Sequence, residues 1–391
     1  MIHLFVDASA ASAGSGPTYV RNVVPQLAAR TEVRSTVLLS QELRREFCDL
    51  PNVTFVETER ESGNVAVRFL RAQTRIPELI RRSGADVLLS AGNIALFRSP
   101  VPQILLSGNA LYTSGEFLRD IRRRRHYQIW LDTKLKSHLA KWSVKVADCT
   151  VAPSKAFADE IGRWTGVRAR AIHHGFDRDV FFNDATALPE ELQARLARKD
   201  DELRLLFVSH YNYYRNFETL FRALPLLKKS IRNRKVTLFL TCRLEPGANP
   251  GSYRPEHAAA LVRSLGIGEN VVQLGAVLYQ LVHQVYRSCD IYVSPSYVET
   301  FAHPLVEAMA AGLPVVASDL TVHREICGEA ALYFPFNSSE ILGDRIQSLA
   351  GGLELASQLS ARGRQRSMDF CWSKHTDQIV ALAKELILKS R

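Results

Sequence analysis

Two glutamates stand eight residues apart where the predicted secondary structure changes from strand to helix. Glu299 lies in a loop after the apolar run 290–293, and Glu307 lies one turn into the helix that His303 and Pro304 open. An ionised carboxylate only accepts hydrogen bonds and can take them from two neighbouring hydroxyls, so the pair could bind a polyhydroxylated ligand. The alternative is a solvated loop glutamate beside a helix-stabilising one, and the spacing alone favours that alternative.

The surrounding elements predict where these side chains lie. Leu305, Ala308 and Met309 recur at helical spacing, Gly312 ends the helix, and 315–317 is an apolar strand. Proline is tolerated at a first helical position because its missing N–H would be unpaired there anyway. Strand, loop, helix and strand form a crossover of a parallel sheet, and ligands bind at the carboxyl edge of such sheets, beside helix N-termini.

The stretch resembles the Glu-x7-Glu signature of retaining glycosyltransferases of family GT4, which have the two-domain GT-B fold. The residues that carry the match are Pro295-Ser296, Glu299, Phe301, Pro304-Leu305, Glu307-Ala308-Met309, Gly312, Pro314-Val315, Ser318 and Glu325. The resemblance implies transfer of a sugar, as in hexosyltransferases, from a nucleoside diphosphate sugar to a hydroxyl with retained anomeric configuration. It also implies no cofactor and no bound metal.

The resemblance assigns roles to individual residues. Glu299 and Arg215 would be catalytic, with Glu299 binding the sugar hydroxyls and Arg215 gripping the diphosphate at a helix start. Glu307 would bind the ribose hydroxyls. The further donor-binding candidates are Gly14, Gly16, His210, Asn216, Thr300, Phe301, Ala302 and His303. The acceptor-side candidates are Asn109 and His174, and for His174 a structural hydrogen bond across the cleft ranks above a general base.

Two positions depart from the family pattern. The family has an arginine and a lysine five residues apart where this chain has His210 and Arg215, and a neutral imidazole supplies at most one donor. Gly108 and Asn109 stand where many members carry a His-Asp or His-Asn pair, so one polar group near the donor sugar is missing. Both departures support an alternative function, a catalytically inactive sugar-nucleotide-binding protein.

A chain of 391 residues exceeds what one hydrophobic core organises, so we expect two domains. Strands and helices alternate in both halves, which predicts an α/β fold with two doubly wound Rossmann-like sheets. The resemblance implies that they face each other across a cleft, and that a C-terminal helix crosses back to the first domain. The expected divisions are 1–178 for the acceptor-side domain, 179–202 for a linker, 203–368 for the donor domain and 369–391 for the helix.

Residues 114–146 predict a long, basic helical tract. Between 119 and 145 nine Lys or Arg face two acids, and the arginines are Arg119, Arg122, Arg123, Arg124 and Arg125. Its apolar stripe is Trp130, Leu131, Leu135, Leu139, Trp142 and Val146. Basic and aromatic residues together suit an anionic membrane or a lipid-linked diphosphate acceptor, whereas a solvated basic face over a core stripe explains them equally well. No nucleic-acid motif accompanies the arginines, so nucleic-acid binding is not expected.

Charge and cysteine usage suggest partners and compartment. The net charge of +10 favours anionic partners without choosing among them. The six cysteines include no Cys-x-x-Cys pair, and most of them are interpreted as buried thiols of a reducing compartment; no signal peptide is expected. The leading hypothesis is a cytoplasmic, membrane-associated glycosyltransferase at the inner face of the cell membrane, acting in surface polysaccharide or lipopolysaccharide biosynthesis. The nucleotide, the sugar and the acceptor are not encoded in any recognisable pattern.

Overall fold

The computed structural model describes residues 1–11, 15–58, 65–183, 186–251 and 253–390. The chain divides into two compact units. Unit 1 comprises Met1–Leu118, His126–Gly175 and Cys371–Arg391, and unit 2 comprises Arg119–Arg125 and Phe176–Phe370.

The strands in the described part of the chain are β1 Ile2–Asp7, β2 Val33–Ser40, β3 Val53–Thr58, β4 Val87–Ser90, β5 Gln103–Leu106, β6 Cys149–Ala152, β7 Arg170–Ala171, β8 Glu202–Phe207, β9 Lys235–Leu240, β10 Val271–Gln273, β11 Ile291–Ser294, β12 Val315–Ser318 and β13 Ala331–Phe334. The α-helices are α1 Ser15–Ala28, α2 Gln41–Arg44, α3 Val65–Ser83, α4 Gly115–Arg123, α5 Tyr127–Val146, α6 Lys155–Thr165, α7 Arg178–Phe182, α8 Glu190–Arg195, α9 Phe217–Ser230, α10 Glu256–Ser264, α11 Tyr279–Arg287, α12 His303–Ala311, α13 Thr321–Cys327, α14 Ser339–Gly351, α15 Leu353–Ser367 and α16 Trp372–Ser390.

Unit 1 is built on a parallel sheet with strand order β3-β2-β1-β4-β5-β6-β7. The order reverses direction between β1 and β4, as a doubly wound sheet requires. Apolar residues of β1, β2 and β4 form a core with one face of α1 and with α16, although α16 is the last element of the chain. The C-terminal helix therefore belongs to the first unit, which confirms that part of the predicted fold.

Unit 2 is built on a second parallel sheet, with strand order β10-β9-β8-β11-β12-β13. Its reversal lies between β8 and β11, so the loops that follow these two strands leave the sheet side by side. Helix α9 covers this sheet because its apolar residues recur at positions i, i+3, i+4 and i+7. Those residues, Phe217, Leu220, Phe221, Leu224 and Leu227, have no exposed surface. Two doubly wound α/β units were predicted, and both are confirmed.

The predicted helical tract over 114–146 is helical in the structure, but it is interrupted and its apolar stripe is largely exposed. The structure has α4 and α5 instead, separated where Arg125 takes a positive φ of 59°. The face of α5 that packs against unit 1 carries small residues, namely Thr133, Ser137, Ala140, Ser143 and Val144. The apolar stripe, for which burial in a core was one of the two open alternatives, lies largely outside, with Leu131 66%, Leu135 52% and Trp142 62% exposed. A face of small side chains lets the helix approach its neighbours closely, which leaves the bulky ones in solvent.

Candidate functional site

Two loops of unit 2 meet at the reversal of its sheet. Residues 208–216 follow β8 and carry His210 and Arg215, and residues 295–302 follow β11 and carry Glu299. The Tyr297 amide donates to the Tyr214 carbonyl at 2.9 Å and joins the two loops directly. Since ligands of open α/β sheets bind outside the carboxyl ends of the strands at such a reversal, these loops define the candidate site.

Arg215 and Glu299 form an ion pair in this site. The Arg215 side chain is 21% exposed and that of Glu299 is 8% exposed. Arg215 sits in a 3-10 turn whose shape is set by Asn212, because the Asn212 side chain accepts from the Arg215 amide at 3.1 Å. The sequence predicted both residues as ligand-binding groups but did not predict that they pair. Each of the two charges therefore offsets the other within the site.

Asn216 connects the two loops of the site to the start of α9. It begins α9 with a positive φ of 55°, in the left-handed region that asparagine tolerates better than most residues. Its side-chain amide donates to the Pro295 carbonyl at 3.1 Å and to the Phe336 carbonyl at 2.6 Å. Both amide hydrogens are thus used on the main chain of neighbouring loops, which fixes the start of α9 next to the Glu299 loop.

The N-terminus of α12 lies directly after Glu299. Ala302 has a positive φ of 62°, which turns the chain into a helix that opens with His303 and Pro304. Phe301 is buried, with its ring 4.9 Å from that of His303. Thr300 and His303 are half-buried. The helix dipole makes this end of α12 favourable for an anion. The cation Arg215 and the start of α12 therefore both lie beside the Glu299 loop.

Glu307 is buried within α12, only 6% exposed. The Tyr286 hydroxyl of α11 donates to its Oε2 at 2.9 Å. Burial raises the pKa of Glu307 to about 7, and the hydrogen bond from Tyr286 only partly offsets this effect. The carboxyl group can therefore change its charge near neutral pH.

His210 is exposed at the start of the β8 loop. Partial desolvation, together with the nearby Arg215 charge, lowers its pKa below the usual value of 6.5. The ring is consequently neutral at physiological pH and supplies no positive charge for a phosphate, as expected from the sequence.

The remaining predicted residues belong to unit 1, and Gly14 lies outside the described residues. Gly16 lies close to Ala11, since a Cβ at this position would be 3.0 Å from the Ala11 Cα. Asn109 caps a 3-10 turn by accepting from the Leu111 amide at 3.1 Å. His174 packs between aromatic side chains, with ring centroids 5.5 Å from Tyr19 and 5.2 Å from Trp372. Its position in this aromatic cluster favours the structural role.

Sequence reasoning missed two polar residues, Tyr286 and Asp7. Tyr286 is fully buried and donates to Glu307, but it lies in another helix, and the pattern of α11 contains no sign of this contact. Asp7 ends β1 at the reversal of the unit 1 sheet and accepts from the Ser9 hydroxyl at 2.6 Å, and burial raises its pKa. A polar residue ending an apolar strand is the signal that could have identified Asp7.

The described residues contain no group of three or more His, Cys, Asp or Glu side chains placed to hold a metal ion. None of their helices combines the length and the apolar character needed to cross a bilayer.

Two parallel, doubly wound α/β units, together with the solved structures of the same fold given below, identify a GT-B type of protein. The chain belongs to the group 1 glycosyltransferases, since the family model "Glycosyl transferases group 1" matches residues 189–366 and that of "Glycosyltransferase Family 4" matches residues 16–180. The resemblance read from the sequence is therefore confirmed.

Individual relatives agree with the family. The D-inositol 3-phosphate glycosyltransferase 1 of Catenulispora acidiphila is 26% identical over 256 residues, which is 62% of this chain and 59% of that protein. The chain thus spans less than two thirds of this relative. Among solved structures, sucrose-phosphate synthase from Thermosynechococcus elongatus has a TM-score of 0.79 at 18% identity, with 100% of both chains covered. HepE of Anabaena in complex with UDP-glucose has a TM-score of 0.74 at 16% identity, covering 99% of this chain and 100% of that one.

Proposed function

We propose that the protein is a retaining hexosyltransferase that moves a sugar from a nucleoside diphosphate sugar to a hydroxyl of a lipid-linked or polysaccharide acceptor, in bacterial surface polysaccharide or lipopolysaccharide biosynthesis. The observation that carries the proposal is the Arg215–Glu299 pair beside the start of α12, at the reversal of the unit 2 sheet. A structural neighbour solved with UDP-glucose supports a uridine nucleotide as the first donor to test.

In this proposal donor binding separates the ion pair. The diphosphate takes Arg215 and the positive end of the α12 dipole, and Glu299 then accepts hydrogen bonds from the sugar hydroxyls. Glu307 accepts from the ribose hydroxyls. Because the fixed cation and the helix end already oppose the charge of the diphosphate, we propose that no metal is needed.

The reaction breaks the bond between the anomeric carbon and the diphosphate oxygen, which leaves with the electron pair. The acceptor oxygen attacks the same face of an oxocarbenium-like centre, and its proton passes to the departing phosphate. Charge develops mainly on the leaving diphosphate, so Arg215 contributes to the rate by stabilising that charge in the transition state.

The acceptor side of the proposal rests on α5. Its exposed residues Tyr127, Leu131, Leu135, Trp142 and Val146 recur at helical spacing and form one apolar strip, which we call the α5 surface. The helix carries four lysines against one acid, Asp132. An exposed apolar strip with basic residues on the same helix is complementary to an anionic bilayer, so we propose that the α5 surface docks on one.

The arginines differ in their part in this contact. Arg119, Arg122, Arg123 and Arg125 are exposed, but Arg124 is engaged with Asp120 and Glu218 within unit 2. Arg124 is therefore left out of the membrane contact that the basic stretch suggested.

Co-sedimentation with vesicles tests the α5 surface. The protein should sediment with phosphatidylcholine vesicles that contain phosphatidylglycerol, less with pure phosphatidylcholine, and less at high salt. The double variant Leu131→Glu, Trp142→Glu should lose sedimentation, whereas Leu353→Glu, at another exposed leucine, should retain it. Equal sedimentation of wild type and double variant would refute this docking surface. If gel filtration shows that wild type and Leu353→Glu are dimers and that the double variant is a monomer, the strip is instead assigned to self-association.

Calorimetric titration with UDP and with UDP-glucose tests the donor site. Wild-type protein should bind, Arg215→Ala should bind at least about ten-fold more weakly because a charge-assisted contact is lost, and Arg222→Ala at an exposed position of α9 should match wild type. GDP, ADP and dTDP serve as competing probes of the base. Absence of binding to every nucleotide at millimolar concentration would overturn the proposal.

The second candidate, a sugar-nucleotide-binding protein without transferase activity, is favoured by Gly108 and by the neutral His210. Nucleotide binding without any turnover of the bound donor, with acceptor lipid extracts present, would select it. Anomeric retention is read from the product by the coupling constant of its anomeric proton.

A further inference from the structure

A short segment from the N-terminal half of the sequence packs inside unit 2. Residues 119–125 are the second half of α4 and the two residues after it, and they belong to the compact unit that contains the candidate donor site. Arg124 anchors the segment, because its guanidinium bonds Asp120 at 3.0 Å and Glu218, in the first turn of α9, at 3.0 Å. The same guanidinium lies 4.2 Å above the ring of Tyr213, the residue two positions before Arg215.

Asp120 makes the second connection. The Tyr297 hydroxyl donates to its Oδ2 at 2.8 Å, and Tyr297 lies two residues before Glu299. The side chain of Asp120 is 13% exposed and that of Glu218 is 14% exposed, so little water competes for these contacts. Burial opposes the charge of Arg124, but Glu218 and Asp120 outweigh it and raise the pKa of the guanidinium, which stays ionised.

The segment thus holds both loops that carry the ion pair of the site. Through Tyr213 it contacts the loop of Arg215, and through Tyr297 it contacts the loop of Glu299. The Tyr297 amide also donates to the Tyr214 carbonyl, so a shift of Tyr297 moves both loops.

We propose that Asp120 and Arg124 are positioning residues of the nucleotide-sugar site, which set the arrangement of the two loops and thereby the distance between Arg215 and Glu299. The choice of ligand in this inference rests on the proposed function. The restraint of the two loops does not depend on any ligand. The segment begins ten positions after Asn109, the predicted acceptor-side residue. The chain therefore runs from that residue into the segment that restrains the donor loops.

Tyr297→Phe and Asp120→Asn test the proposal with little change in shape. Tyr297→Phe removes only the hydroxyl that donates to Asp120, and Asp120→Asn keeps an acceptor oxygen but removes the charge that pairs with Arg124. Arg122→Gln, an exposed neighbour in the same helix, is the matched control. The three variants and the double variant Tyr297→Phe, Asp120→Asn are compared by hydrogen–deuterium exchange, by melting temperature and by calorimetric titration with UDP.

In the ligand-free protein, peptides covering 210–216 and 294–302 should exchange faster in Tyr297→Phe and Asp120→Asn than in wild type. Their exchange in Arg122→Gln should equal that of wild type. The Kd for UDP should rise about three- to ten-fold in each single variant. In the double variant the rise should be smaller than the product of the two single effects, because Asp120 takes part in both contacts.

The outcomes separate the two ideas. Unchanged exchange in both loops overturns the positioning role, whatever the nucleotide result. Faster exchange and a lower melting temperature with an unaltered Kd for UDP also overturn it, because the contact would then be only structural. If the wild-type protein binds no nucleotide, the proposed donor site fails, and the exchange data still decide whether Asp120 and Arg124 restrain the loops.

Discussion

The buried carboxyl group of Glu307 leads to a pH-dependent prediction for nucleotide binding. Its pKa is raised from 4.5 to about 7 in the ligand-free protein because the group is buried. If the ribose hydroxyls bind the ionised form, binding favours loss of the proton. With a pKa of about 7, roughly one tenth of the molecules are ionised at pH 6 and nearly all at pH 8, so the affinity for UDP should rise about ten-fold over this range.

The same shift has a consequence for stability, of opposite sign. The folded protein binds the Glu307 proton more tightly than the unfolded chain, so this group stabilises the fold at pH values below about 4.5, and the contribution is lost as the pH rises towards 7. The shift of about 2.5 units corresponds to roughly 3 kcal/mol as an upper limit. Glu307→Gln keeps the shape and an acceptor for Tyr286, so it should be more stable than wild type at pH 8.

Calorimetric titration with UDP between pH 6 and pH 8, in buffers of different ionisation enthalpy, measures both the affinity and the protons released. Wild type should release about half a proton at pH 7 beyond any change in UDP itself. Glu307→Gln should release none beyond UDP, and Glu329→Gln, at an exposed glutamate of the same unit, should match wild type. An identical pH slope for wild type and Glu307→Gln would refute the reasoning, since the titration of UDP is common to all three proteins.

Three other changes have predictable outcomes. Gly175→Ala places a Cβ 2.2 Å from the amide nitrogen of Trp372, so denaturant unfolding should show a loss of about 1–3 kcal/mol, while Gly268→Ala, with nothing within 4 Å, should stay near wild type. Asn216→Ala loses two amide donations and a favourable positive-φ residue and should cost about 2 kcal/mol or more, whereas Asn216→Gly, which keeps the backbone freedom, should cost less by the same measurement. Cys48 is exposed, so a thiol reagent should modify it first in the native protein, and Cys48→Ser should remove the fast phase.

The sequence by itself determined the local elements and the family. The long motif around Glu299 predicted strand, loop, helix and strand, and the structure has β11, α12 and β12 at these positions. Alternation of apolar strands and amphipathic helices predicted two doubly wound sheets. These features depend on residues close together in the chain, where periodicity and terminating residues such as Gly312 act directly.

Partners between distant residues were decided only by the tertiary structure. Arg215 and Glu299 are 84 positions apart and Tyr297 and Asp120 are 177 apart, and no local pattern encodes such a contact. The raised pKa of Glu307 likewise depends on a helix packed over it. The exposed strip of α5 decides between two alternatives that the sequence left open, because helical periodicity identifies an apolar face but does not say whether that face or a face of small residues is buried. Only the closer approach that small side chains permit settles which side of α5 is buried.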